Sequence, residues 1–430
     1  MKMQIINNPE REKWPVLLSR PVFEAQTLQN SVRGILNKVR AEGDKALLDF
    51  NLQFDKADTS RLDVTREEIE RAVAQVEDPL KDAIKTAFDN ILKFHKAQHR
   101  ETLTVETTPG VTCWRRSVPI QKVGIYIPGG TAPLFSTVLM LGVPASIAGC
   151  EEIVLCTPPG PDGSVNPVIL FTADLMGITK IYKTGGAQAI GAMAYGTETV
   201  PNVYKIFGPG NQYVTEAKQQ VSLEGVAIDM PAGPSEVAVI ADASSDASFV
   251  ASDLLSQAEH GADSQVILIC TDENKVNGVA TEIKRQLAEL PRKELAGKSL
   301  DNSKAFIVPD TTTAVELSNA YAPEHLIICT QDADDLAEKI INAGSVFIGS
   351  YTPESAGDYA SGTNHTLPTN GAARAYSGVS LDSFMKQITY QKIDPAGLRN
   401  LGPAIEKMAA AELLEAHKRA VSIRLEKQGR

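Results

Sequence analysis

From Lys122 onward the chain alternates short apolar runs with longer helical patterns. Val123–Ile127, Lys180–Thr184 and Lys205–Phe207 are strand-like, and each runs into a glycine turn: Pro128-Gly129-Gly130, Gly185-Gly186 and Gly208-Pro209-Gly210-Asn211. A helical pattern follows every turn, Ala187–Tyr195 being the shortest. Strands separated by helices predict βαβ units and a parallel sheet. A second series begins after Pro231-Ala232-Gly233-Pro234. It comprises strand Glu236–Ala241, helix Ser248–Glu259, strand Ser264–Cys270, and further strands at Leu326–Cys329 and Ser345–Ile348. The first hundred residues read as helical: Thr65 and Glu68 form a capping-box pattern, and Leu80, Ile84, Phe88, Ile91 and Leu92 recur at helical spacing. Past Ser383 the chain reads as an arm ending in one helix from Pro403 to about Lys427, with little apolar surface of its own.

These patterns predict an α/β protein of two Rossmann-like, incomplete lobes with parallel-rich sheets, flanked by small N-terminal and C-terminal helical arms. The expected divisions are an arm at 1–24, a larger lobe from 25–121 plus 236–382, an inserted lobe at 122–235 and a C-terminal arm at 383–430. A length of 430 residues agrees with two lobes rather than one core.

Val123–Cys150 is uncharged over 28 residues, enough to span a bilayer. Pro128, Gly129, Gly130, Pro133 and Pro144 interrupt it, so a strand, a turn and a buried helix account for it better. The start of the chain has no signal-peptide pattern, and five cysteines without CxxC spacing fit small buried side chains in a reducing, cytoplasmic setting. The net charge of −11, with no Lys/Arg-rich run, argues against nucleic acid as a partner.

A glycine turn opening a helix presents free N–H groups at the positive end of the helix dipole, which suits phosphate. Three such turns within a hundred residues favour a nucleotide crevice, although the G-x-G-x-x-G fingerprint is absent. His95 and His99 are four apart on a helix, but His95 continues an apolar stripe and no third ligand is near, so both read as structural. Gln257 and His260 share a helix face at its C-terminal end, and imidazole with amide or carboxylate oxygen is a ligand set suited to zinc or manganese. Taken singly, each histidine is better read as a cap or core residue, and Asp358 as a turn residue beside Gly357. Glu324-His325 stands before a buried strand at a sheet edge, and a neutral imidazole there suits a general base. A surface pair beside a strand is the plain alternative.

Gly208–Asn211 with Glu216-Ala217-Lys218, Asp229–Glu236, Leu254–Gly261, Ala322–Leu326 and Glu354–Pro368 together resemble the histidinol dehydrogenase family, over about residues 15–425. The resemblance implies zinc ligands at Gln257, His260, Asp358 and His417, and a proton-accepting pair at Glu324 and His325. It implies NAD contacts at Tyr126, Gln188 and Asn211. Substrate contacts are implied at Ser235, Gln257, His260, His325, Asp358, Glu412 and His417. It further implies a cytoplasmic homodimer with a shared active site, one zinc per subunit, and oxidation of histidinol to histidine by two NAD. A role for His365, near the family's site, is not implied.

Other chemistries weigh less. Cys150 and Cys156 flank a strand without His or Asp neighbours, which disfavours a cysteine thiohemiacetal. A zinc hydrolase would need no glycine-turn crevice, and a non-catalytic scaffold would leave Glu324 and His325 without purpose. An enzyme of the same fold oxidising another polar alcohol is the closest rival, opposed by Glu412 and His417, the implied contacts to histidinol.

Overall fold

The computed structural model describes residues 3–20, 25–129, 133–230 and 233–429, so Gly130, Pro231 and Ala232 of the expected turns lie outside the described residues. A parallel sheet of six strands runs in the order β1-β11-β10-β9-β12-β13. Its members are β1 (Gln4–Asn7), β9 (Glu236–Ala241), β10 (Gln265–Cys270), β11 (Lys304–Ile307), β12 (His325–Cys329) and β13 (Ser345–Ile348). A second parallel sheet has the order β6-β5-β4-β7-β8. It is built from β4 (Lys122–Tyr126), β5 (Glu152–Thr157), β6 (Lys180–Lys183), β7 (Lys205–Phe207) and β8 (Ala227–Ile228). β2 (Leu103–Thr108), β3 (Val111–Pro119) and β14 (Met385–Ile393) form a small antiparallel sheet. The expected α/β architecture of two parallel-rich lobes is thus present. Every residue of β9, β10 and β12 is buried, as a parallel strand covered on both faces must be.

Packing redraws the expected divisions. Helices Ala25–Glu42 and Asp44–Phe50 share a core with Gly186–Tyr195, and Asp78–Lys96 shares one with Phe135–Ala148. Residues 25–96 therefore cover the five-stranded sheet and not the six-stranded one. The physical reason lies in the covered helices, which are apolar nearly all round: 11 of the 14 residues of Phe135–Ala148 are buried. A helix with no polar face needs a second layer outside it, and the amphipathic helices supply that layer. Phe135–Ala148 is thus an interior helix, and no helix among the described residues is long and apolar enough to cross a membrane.

The N-terminal segment is also not purely helical. β1 pairs with β11 as an edge strand, and Trp14 and Leu18 pack beneath Ile240 and Phe306. The C-terminal arm opens with β14, followed by two helices, Pro395–Ala411 and Glu415–Lys427, in place of the single expected one. The break falls at Glu412–Leu414, where Leu413 takes φ 59°. Glu412 and His417 consequently do not share one helix edge. The capping box at Thr65 is present, and His95 is buried with Nδ1 on the Ile91 carbonyl at 2.9 Å, a structural histidine.

In the five-stranded sheet the chain order reverses between β4 and β7, and a 410 Å³ crevice opens near the carboxyl ends, lined by Asp55, Gly129, Thr157, Pro158 and Asn166. Asp55 closes a single π-helical turn, and one carboxylate oxygen is buried without a partner. Burial lifts its carboxyl to about 6. A carboxyl raised in this way contributes stability that is present while it is neutral and lost as pH climbs through 6. Asp55→Asn should therefore match the parent near pH 4 and exceed it near pH 7.5, by on the order of 1 kcal/mol after discounting for partial exposure. Urea denaturation at the two pH values measures this, and an advantage independent of pH would refute it.

Candidate active site

The acid–base pair hangs from the start of β9. Glu236 donates its backbone N–H to Glu324 Oε2 at 2.9 Å, and its carbonyl lies 3.2 Å from His325 Nδ1. The Glu236 carboxylate is held in turn by Arg20 at 2.5 and 2.8 Å and by the Asn370 N–H at 2.8 Å. Arg20 also lies over the Tyr321 ring, 4.1 Å from its centroid. Gln257 Nε2 donates to Glu324 Oε2 at 3.3 Å, and the Ser235 hydroxyl lies 3.4 Å from His260 Nδ1. The helix Ala247–Ala258 follows β9 and returns antiparallel to it, so its C-terminal end brings Gln257 and His260 to the same edge. That end carries the negative pole of the helix dipole, which favours a cation. The site thus lies at the amino ends of β9 and β12, whereas the expected nucleotide crevice uses carboxyl ends.

His325 is ringed by carboxylates. Nδ1 lies 3.7 Å from both Glu324 Oε2 and Glu354 Oε1, and Nε2 lies 3.3 Å from Asp358 Oδ1. Burial opposes the imidazolium, but Glu354, Glu324 and Asp358 outweigh it and hold the ring well above the usual histidine range. Burial by itself favours the neutral imidazole expected from sequence, and the neighbouring carboxylates favour the imidazolium. Burial pushes Glu324 up to about 8 and raises Glu354 further above the carboxylate range. Burial acts the same way on Asp358, but pairing with His325 prevails and lowers it.

Unsatisfied atoms mark both sites. Among the described residues eleven buried side-chain polar atoms lack a hydrogen-bond partner, and eight lie in two places. Gln257 Oε1, His325 Nε2, Glu354 Oε2 and Asp358 Oδ1 gather at the acid–base pair; Asp55 Oδ2 and Thr157 Oγ1 belong to residues lining the crevice, and Asn51 Oδ1 and Thr184 Oγ1 lie on neighbouring segments joined by the Asn51 amide bond to the Lys183 carbonyl. Buried polar groups are nearly always paired, so such clustering indicates places for ligands. The first group offers hard oxygen and imidazole donors that fit a divalent cation.

The tightest donor group among the described residues is His325, Glu354 and Asp358, with atoms within 4.8 Å of one another. It shares only Asp358 with the expected zinc set. Gln257 and His260 border it, whereas Glu412 and His417 are exposed on the C-terminal arm. One chain therefore assembles three of the four expected ligands. Glu354 was not singled out from sequence, although it stands four residues before Asp358 on one helix face. The part played by the Glu236 main chain leaves no signature in side-chain type. His365 donates Nδ1–H to the Asp358 carbonyl at 2.9 Å and receives the Thr137 hydroxyl on Nε2 at 3.1 Å, joining the two lobes.

The second and third glycine turns both meet Tyr126. Its hydroxyl accepts the Gly186 N–H at 3.1 Å, and a Cβ on Gly208 would stand 2.2 Å from its carbonyl oxygen. Gln188 is buried in the helix opened by Gly186. Asn211 caps the next helix, accepting from Tyr213 and Val214 N–H at 3.0 and 3.2 Å.

The family model described as histidinol dehydrogenase matches residues 18–425. A histidinol dehydrogenase of Bacteroides thetaiotaomicron is 63% identical over 423 residues, covering 98% of this chain and 99% of that protein. One from Bacteroides fragilis is 61% identical over 424 residues, covering 99% of each. The crystal structure of histidinol dehydrogenase from Elizabethkingia anophelis superposes with a TM-score of 0.97 at 56% identity, over 100% of this chain and 99% of that one. With a family model across nearly its whole length and relatives above 60% identity, this chain belongs to the histidinol dehydrogenase family of oxidoreductases.

Proposed function

We propose that this protein oxidises L-histidinol through L-histidinal to L-histidine in the cytoplasm, using two NAD and one zinc ion per subunit, as the last step of histidine biosynthesis. The observation that carries the reading is the cluster of buried, unpartnered donors beside Glu324 and His325, in a chain of this family. Gln257, His260 and Asp358 would hold the zinc, with His417 of a second subunit completing four ligands. Tyr126, Gln188 and Asn211 would contact the dinucleotide. Ser235, His325 and Glu412, with the zinc ligands, would contact the substrate. When bound, zinc orients the substrate's imidazole and amine, and each NAD accepts one hydride.

The residues of the chain move the protons. In the alcohol step His325, in its neutral form, takes the hydroxyl proton while the carbon gives up hydride. In the aldehyde step Glu324, as carboxylate, takes a proton from water, whose oxygen adds to the carbonyl carbon while the proton held by His325 passes to the carbonyl oxygen, leaving His325 neutral again. His325 then takes a proton from the hydrate as a second hydride leaves and the carboxylic acid forms. Both groups are buried, which keeps bulk water from the reacting carbon.

Purified protein should yield two NADH per histidinol, prolonged chelation should abolish the activity, and zinc or manganese should restore it. One NADH per histidinol would refute the two-step reading, and full activity without metal would remove zinc from it.

The division of labour is testable separately. His325→Asn should slow alcohol and aldehyde oxidation alike, whereas Glu324→Gln should chiefly slow the aldehyde step, each by roughly 10²–10⁴-fold. Stopped-flow assays started from histidinol or histidinal distinguish them, and equal losses in both half-reactions for both variants would contradict the assignment.

Sharing of the site is tested by complementation. His260→Ala and His417→Ala should each be inactive alone. Refolded together, about half of the dimers are mixed, each with one intact site, so roughly a quarter of the parental activity should return. No recovery in a preparation containing mixed dimers would mean that His417 serves its own chain.

A further inference from the structure

Lys218, near the glycine turn Gly208–Asn211, would ordinarily be read as a phosphate-binding lysine. Its position excludes that: the side chain is 3% exposed and paired inward with Asp229, itself 1% exposed. Both partners grip one residue of the turn. Lys218 Nζ donates to the Gly208 carbonyl at 2.9 Å, and Asp229 Oδ2 accepts the Gly208 N–H at 2.8 Å. Asp229 Oδ1 also accepts the Met230 N–H at 2.8 Å.

Gly208 is also the residue pressed against Tyr126, with φ 131°, a conformation open to glycine. Three residues on, Asn211 fixes the other end of the turn by capping the helix that carries Lys218. An ion pair this deep is weak evidence for stability, since apolar residues of similar shape often serve as well. What apolar residues cannot do is hold a peptide N–H and the carbonyl of the same residue at once.

We propose that Lys218 and Asp229 are positioning residues, which preset the Gly208–Asn211 turn against Tyr126 for the dinucleotide. The inference rests on the NAD reading above. The two charges cancel inside the protein, so the dinucleotide's pyrophosphate meets backbone N–H groups and not a lysine.

NADH binding by fluorescence titration, histidinol binding by calorimetry and thermal stability are to be measured for the parent, Lys218→Met and Lys218→Met/Asp229→Asn. The single variant leaves a buried carboxylate unpaired and should lose stability; the double variant removes that charge and should regain it. Both lack the donor to the Gly208 carbonyl, so both should bind NADH about tenfold or more weakly, with histidinol affinity within about twofold of the parent. A purely structural pair would lose and regain both properties together. A double variant that binds NADH like the parent overturns the inference while leaving the NAD reading intact. A parent that binds no NADH overturns both. Should neither variant fold, hydrogen exchange on the parent decides. Amides at 206–214 protected before NADH is added support presetting, and protection that arises only with NADH refutes it.

Discussion

The first peptide group of β9 is gripped by two side chains that are neighbours in sequence: Glu324 takes its N–H and His325 faces its carbonyl. The arrangement follows from parallel pairing. β12 lies beside β9 with His325 level with Val237, so the residues opening β12 arrive where β9 still has peptide groups without a ladder partner. Arg20 then fixes the side chain of the same residue. A register shift of one residue would face Glu324 and His325 the other way and dissolve the site.

That edge concentrates charge among largely buried side chains. Glu324, Glu354 and Asp358 cannot all be ionised around one imidazole without severe cost, and burial keeps the first two in their protonated range. Buried ionisable groups are ordinarily paired or bound to metal. Here pairing is incomplete, and the shortfall is confined to atoms that face one another. The crevice of the other sheet has a similar character, with carboxyl and hydroxyl atoms of Asp55 and Thr157 left over near the carboxyl ends of its strands.

Much of this was legible in the sequence, and the remainder fails for identifiable reasons. Alternating strands and helices disclosed both parallel sheets, because period and turn chemistry are local. The attachment of residues 25–96 was not legible: an apolar stripe shows that a helix is covered, and nothing in it says by which sheet. β1 was missed for the same reason, since its partner lies three hundred residues away. The break at Leu413 carries neither glycine nor proline, so the arm read as continuous. At the site, Gln257, His260, Asp358, Glu324 and His325 were found through family resemblance. Glu354 and the Glu236 main chain act through geometry that residue type does not encode.

The pairing of Gln4 with Lys304 also has a consequence in time. At roughly 5–20 residues per second, a ribosome needs about 15–60 s to make the partner of β1 after β1 itself. During that interval β1 and Trp14 have no sheet to join, whereas the helices of 25–96 wait only until the five-stranded lobe is complete. The inserted lobe therefore matures first. The six-stranded sheet, with the acid–base pair at its edge, has to recruit β1 across three hundred residues, a non-local step of the kind that makes folding slow.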